Sequence, residues 1–573
     1  MSSRPVSSSP AHSKKSDTNF TPSNRYWAET HSVENMPRPL ENYDAYKQDQ
    51  ALVDAVGVNG GGWAEGDLSN FGGLCGSEEL IAWGVQANEN KPTLHTHSRH
   101  GARIDEVRFH PSYHQLMEVS MREGIHSSHW SAPKPGAHVA RAAKSYLMAQ
   151  VEAGHGCPIT MTSAAIPTLK RQPDLYAQWA DKVMSRDYDA RNISHELKES
   201  VTIGMAMTEK QGGSDVQANT TRAFALGASG AGKLYELVGH KYFVSAPMSD
   251  AFLVLAQTEG GISCFLVPRW RPDGTKNPLQ IQCLKNKMGN VSNASSETEL
   301  RGALGWMIGE EGRGVSAILE MVAMTRFDCM LGSSGLMRQG IAQITHHCSQ
   351  RSAFGKRLSE QPLMQNVLAD LILEHEAAIA FSMRLARSLD LSEQQSQEKH
   401  LVRMGTAIGK YWICKRAPGH VYEAMECIGG SGVMEDCIMP RLFRESPINT
   451  IWEGSGNVQC LDMIRAMNRN PESLDAFMNE VHKAEGKHPL MDRSLRDLQA
   501  ALADKNDIEY RSRGIVEKMA LSIQASTLLE YGNEEVADAY CKGRLDASNQ
   551  GWVYGTLPRS IDCAALIARA KPC

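Results

Sequence analysis

Apolar residues recur along this chain with two different periods. The switches between them, near residues 201 and 306, constrain the fold more than any other feature. Before the first switch, "YHQLMEVSMREGI" (113–125) and "AHVARAAKSYLMAQVEAG" (137–154) repeat apolar side chains every three or four positions, the period of an amphipathic helix. The second of these ends at a glycine, a helix stop. From 201 to 305 the texture changes. "KLYELVGHKYFVSAP" and "AFLVLAQTEGGISCFLVP" are dense in Val, Tyr, Phe and Leu, and Glu259-Gly260-Gly261 sits between two apolar runs as a hairpin turn would. From 306 the helical period returns in long runs (314–351, 362–389, 400–430) with short connections, the pattern of an antiparallel bundle. The fold class is therefore α+β and multidomain. Residues 1–26 are expected to be a disordered tail, 27–200 an N-terminal helical domain, 201–305 a middle β domain, 306–470 a C-terminal helical bundle and 471–573 a helical extension. The stretch 86–112 shows no period and is expected to be irregular.

Several function classes are disfavoured by composition. A net charge of −5 over 573 residues gives no global pull towards nucleic acid or acidic membranes. The 13 cysteines form no CxxC pair, so neither a disulfide framework nor a zinc site is indicated. They point to a reducing compartment, the cytoplasm; the first 16 residues carry no acid, which leaves a mitochondrial leader open. No run of apolar residues reaches the length of a membrane span. No metal is expected: "HTHSRH" (95–100), with His110 and His114 beyond, has no nearby cysteine or acid to complete a ligand set. "GASGAGKL" (227–234) imitates a phosphate loop but ends in Leu234 where Ser or Thr must hold magnesium, and it separates two strand-like runs.

Other segments suit a ligand with flat rings and phosphates, each with a plainer alternative. "MTEKQGGSDV" (207–216) sets Gly212 and Gly213 before Ser214 and Asp215, which lets backbone N–H groups approach an anion or simply makes a turn. Phe243 and Ser245 share one strand face and either flank a ring or fill core and edge. "QRSAFGKRL" (350–358) gathers Arg351, Lys356 and Arg357 around Phe354-Gly355 at a helix end, where cations suit the helix dipole or a pyrophosphate. "ECIGGSGVM" (426–434) is a further glycine cluster. "NTIWEGSGNVQCLDMIRAM" (449–467) places a lone acid, Glu453, between Trp452 and Gly454.

In this order the segments resemble the acyl-CoA dehydrogenase superfamily of flavoproteins from about residue 100 to 470. "RFHPSYH", "PITMT", "NKMGNVSNASSE" and "NTIWEGSGN" are similar to its AidB-like subfamily. The resemblance implies a middle β domain between an N-terminal helical domain and a C-terminal four-helix bundle, a helical extension, FAD as cofactor, and a homotetramer. It assigns Met207, Thr208, Gly213 and Ser214 to the flavin ring and phosphates, with Phe243 and Ser245 near the flavin. Arg351 and Phe354 would reach the pyrophosphate of a neighbouring subunit's FAD. Gly429 and Gly430 would admit its adenosine part, with Glu426 where relatives often have Gln and Val433 where Tyr is common. Trp452, Gly454, Ser455 and Asn457 flank the cofactor. Glu453 falls at the catalytic base, because the alternative position before Arg326 is Thr325. The expected reaction removes a proton α to an acyl-CoA thioester carbonyl and passes a hydride to flavin N5. The same resemblance carries a second reading, a DNA-binding flavoprotein of the alkylation-damage response with little turnover. Residues 471–573 hold 13 Lys and Arg against 16 Asp and Glu, a net of −3, so a basic patch would have to be gathered from Arg465, Arg493, Arg496, Arg511 and Arg513.

Overall fold

The strands between the two helical stretches close on themselves. A computed structural model describes residues 31–548, 551 and 553–572. Leu234–Ser245 pairs antiparallel with Ser295–Ile308, which pairs with Gly261–Pro268, which pairs in turn with Ala251–Thr258. Arg222–Ala225 bridges Ala251–Thr258 to Leu234–Ser245 and completes the ring. Ile203–Ala206 and Leu279–Leu284 add to its edges. The Glu259-Gly260 turn behaves as its composition predicts: Thr258 faces Gly261, whose φ of +109° only glycine adopts readily. "GASGAGKL" likewise joins two antiparallel strands.

Ala251–Thr258 and Gly261–Pro268 of this barrel are buried on both faces, which is why they read as apolar runs rather than alternations. Phe252, Val254, Phe265 and Val267 fill the interior. Leu253, Leu255, Cys264 and Leu266 point outward against the Gly156–Lys170 and Gly314–Gln350 helices. Gly314 makes that seat possible, since a Cβ there would fall 2.4 Å from the Ser263 backbone. The stretch 86–112, read as irregular, instead contains a hairpin of Thr93–His97 with Arg103–Arg108. It is held to the barrel rather than by its own pattern: Asp105 accepts from the Ile281 N–H at 3.0 Å and Arg103 donates to the Ile281 carbonyl at 2.8 Å.

The bundle consists of Gly314–Gln350, Pro362–Leu391, Ser396–Ile428 and Gly456–Arg469. Its core is continuous with the N-terminal helices and with the extension, where Phe477, Leu498, Ile523 and Tyr540 are buried. The extension is fastened to Pro362–Leu391 and Ser396–Ile428, through charges as well as apolar packing. Arg384 bonds Glu480 at 2.5 and 2.8 Å and Glu398 at 2.9 and 3.0 Å. Arg544 reaches Asp370, and Arg569 reaches Glu376 and Asp54. Among the described residues no helix is long and apolar enough to cross a membrane.

Burial pushes the Glu480 carboxyl up, but the hydrogen bonds and charge of Arg384 outweigh it and hold it below the ordinary carboxylate range. The stabilisation is therefore present at neutral pH and is lost as the pH falls through the lowered value. Arg384→Ala leaves the buried Glu480 with Lys483 alone and the half-buried Glu398 without its cation, and is expected to cost roughly 3–5 kcal/mol, read as a lower urea midpoint of the helical domains. An unchanged midpoint would show that the extension does not depend on this cluster.

Candidate functional site

A cavity of about 1260 Å³ opens between the barrel, the Gly156–Lys170 helix and the bundle. Its long axis follows one stripe of the Gly314–Gln350 helix, where Val315, Ile318, Val322, Thr325, Asp328 and Leu336 line it at helical intervals. At 1.5 Å per residue that stripe spans roughly 30 Å.

Near the middle stands Glu453. It is the residue that a short helix, Ile448–Ile451, hands to a tight loop before Gly456–Arg469 begins. Its φ is +59°, a left-handed conformation that costs a non-glycine residue roughly 1 kcal/mol or more. Three successive carbonyls hold the loop in that shape. Lys410, buried in the bundle, donates to the Trp452 and Gly454 carbonyls at 2.9 and 2.6 Å. Arg326 donates to the Glu453 carbonyl at 2.8 Å, and Gln459 bonds the carbonyls of Glu453 and Gly454 at 3.1 and 3.0 Å. Arg326 is itself fixed by Asp462, which Arg403 also grips. The Glu453 carboxylate accepts a hydrogen bond from the Thr325 hydroxyl at 2.7 Å. Burial raises its pKa above the carboxylate range, while Thr325, Arg326 and Lys410 pull it part of the way back. Thr325, which cannot itself act as a base, thus holds the acid that can.

The cavity gathers most of the expected ligand contacts. Met207, Thr208, Gly213, Ser214, Phe243, Ser245, Trp452, Gly454 and Ser455 all line it with Glu453. Phe243 keeps 43 % of its surface exposed, with the Lys285 ammonium 4.8 Å from its ring centroid. Ser245 bonds Ser295 at 3.0 Å, and Ser295 accepts from Lys287 at 2.9 Å, whose ammonium burial draws down to about 8. The Trp452 indole donates to Asn449 at 2.9 Å. Asn457 does not join them: it lies in the first turn of Gly456–Arg469 and faces solvent.

Arg351, Phe354, Gly429 and Gly430 do not line this cavity. Arg351 follows the last residue of the Gly314–Gln350 helix, 26 residues beyond Thr325 and hence roughly 40 Å away along the axis. Phe354 is 100 % exposed at the tip of a small hairpin, Ser352–Ala353 with Lys356–Arg357. Gly429 ends the Ser396–Ile428 helix at the same end of the bundle, where Cys348 and Cys427 share a core. Arg351 is already tied at one nitrogen, to the Asn35 carbonyl at 2.7 Å.

Sequence reading missed Lys410, Gln459 and Asp462, the groups that fix the loop. Lys410 interrupts an apolar helix face, which was the one available signal; its partners are backbone carbonyls about 40 residues away, which no local pattern reveals.

Three family models match the chain in succession: the adaptive response protein AidB N-terminal domain over residues 35–190, the acyl-CoA dehydrogenase middle domain over 204–303, and the acyl-CoA dehydrogenase C-terminal domain over 312–468. The putative acyl-CoA dehydrogenase AidB of Escherichia coli is 43 % identical over 523 residues, covering 91 % of this chain and 95 % of that protein. Acyl-CoA dehydrogenase family member 11 of Caenorhabditis elegans is 31 % identical, covering 81 % and 76 %. A crystal structure of Caenorhabditis elegans ACDH-11 in complex with C11-CoA superposes with a TM-score of 0.81 at 28 % identity, over 91 % of this chain and 95 % of that one.

Removing the Thr325 hydroxyl takes away a hydrogen bond that favours the ionised acid. Thr325→Val is therefore expected to move Glu453 titration to higher pH, followed by infrared difference spectroscopy of the carboxyl band that Glu453→Gln deletes. An unmoved titration would show that Thr325 does not control the acid.

Proposed function

The chain belongs to the acyl-CoA dehydrogenase family, on its AidB-like side, and from that footing we propose that Glu453 removes the proton α to the carbonyl of an acyl-CoA thioester bound in the cavity. The observation that carries this reading is a carboxylate raised by burial, aimed by Thr325, and placed on a loop whose carbonyls Arg326 and Lys410 hold. A base whose pKa lies closer to neutrality takes a proton more readily than an ordinary carboxylate. The relative solved with C11-CoA supports a thioester as the ligand class.

FAD is the cofactor of this family, and the residues present fit it. The partly exposed ring of Phe243, the hydroxyls of Thr208, Ser214 and Ser245, and the glycine-bearing 207–216 loop offer a flat surface beside phosphate-binding groups. When bound, FAD supplies the acceptor for the hydride that leaves the β carbon as the α proton goes to Glu453 and the double bond forms.

The second cluster, Arg351 with Phe354, Gly429 and Gly430, stands too far from Glu453 to touch the same cofactor within one chain. Phe354, wholly exposed, and the Arg351 nitrogens that have no partner among the described residues support a reading in which this end of the bundle completes the site of a neighbouring subunit. The family resemblance gives four chains for that assembly. A nucleic-acid role has less behind it. Arg544 and Arg569 of the extension turn inward onto carboxylates, and Arg511 bonds the carbonyls of Asn506 and Asp504.

Glu453→Gln keeps the size of the side chain and removes its basicity. It is expected to retain FAD while slowing anaerobic flavin bleaching by acyl-CoA roughly 10²–10⁴-fold. Bleaching at the wild-type rate would rule out Glu453 as the base.

A further inference from the structure

Past Thr325 the cavity wall carries a polar cluster among apolar side chains such as Met148, Ile159 and Leu336. One turn further along the Gly314–Gln350 helix, Asp328 is gripped by both terminal nitrogens of Arg141, a residue only 2 % exposed, and accepts from the Thr160 hydroxyl. All three side chains line the cavity. Ser145, one turn after Arg141 on the Ala137–Val151 helix, lines it as well, and its buried hydroxyl has no hydrogen-bond partner among the described residues.

A plain alkyl chain has nothing to offer this wall. A guanidinium carries five N–H groups. Nε of Arg141 donates to the Ile125 carbonyl at 2.8 Å and each terminal nitrogen donates once to Asp328, which leaves two N–H groups without partners among the described residues. Covering them and the Ser145 hydroxyl with hydrocarbon would leave buried polar groups unmatched, at a cost of roughly 1–3 kcal/mol each. A charged ligand fits no better. A carboxylate would meet Asp328 and an ammonium would meet Arg141, because the pair has already neutralised itself. What suits both members is one uncharged group that accepts and donates: a hydroxyl, taking a hydrogen bond from Arg141 and giving one to Asp328 or Ser145.

We infer that the acyl group taken by this cavity carries a hydroxyl roughly four carbon–carbon bonds beyond its α carbon, since Asp328 lies one helical turn, ~5 Å, past the Thr325–Glu453 pair. Arg141, Asp328 and Ser145 are then specificity residues. The inference rests on the reading of Glu453 as the base that addresses the α carbon.

The test is a titration of the purified flavin-loaded protein, followed by the flavin absorbance change, with 6-hydroxyhexanoyl-CoA against hexanoyl-CoA. A site that hydrogen-bonds a substrate hydroxyl rejects the analogue lacking it. The hydroxylated thioester is expected to bind at least ~10-fold more tightly, equivalent to about 1.4 kcal/mol. Ser145→Ala, which leaves the buried ion pair intact, is expected to narrow that ratio several-fold. Equal binding of the two thioesters, or tighter binding of hexanoyl-CoA, would overturn the hydroxyl subsite and leave the acyl-CoA reading standing. Binding of neither would contradict the acyl-CoA reading and the inference with it. A ratio unmoved in Ser145→Ala would overturn the assignment of Ser145.

Discussion

Everything chemical in this structure hangs on the grip that two bundle helices keep on the carbonyls of Trp452, Glu453 and Gly454. Lys410 takes the outer two and Arg326 the middle one. A left-handed glutamate is unfavourable by itself, and a loop of this length would relax if its carbonyls were left to water. Cations below the loop make the strained shape the stable one. They also lie close enough to temper the rise in the Glu453 pKa that burial causes. The two side chains that fix the position of the acid thus join Thr325 in setting its basicity.

That grip is only as firm as the bundle that supplies it. Lys410 and Arg326 sit on helices whose cores run on into the N-terminal domain and the extension. The extension reads as an appendage in sequence, yet it places Glu480, Arg544 and Arg569 against opposite charges on Pro362–Leu391. Such buried pairs are a weak source of net stability, but breaking one is costly. They fix how the extension docks more than how strongly.

The gross architecture was legible because the two periods differ so sharply. Barrel strands buried on both faces become apolar runs, and long amphipathic helices announce themselves. The hairpin at 93–108 was not legible, because its strands are polar and its register is set by Asp105 and Arg103 reaching to Ile281, over 170 residues away. The acid was found by the company it keeps, Trp452 before it and Gly454 after it. The Arg141–Asp328–Thr160 cluster was not, since each member sits on a different helix and looks in sequence like an ordinary surface residue. The glycine and arginine motifs beyond 350 were visible as motifs, but their distance from Glu453 became visible only along the full length of one helix.

The most direct test of the account is anaerobic stopped-flow reduction of the bound flavin by an acyl-CoA deuterated at the α carbon. If Glu453 takes the α proton while hydride leaves the β carbon, bleaching by the deuterated thioester must be slower than by the protiated one, and α deuterium must appear in solvent. Bleaching at the same rate with both, or none with any acyl-CoA while FAD is fully bound, would contradict the claim that this buried carboxylate is the base.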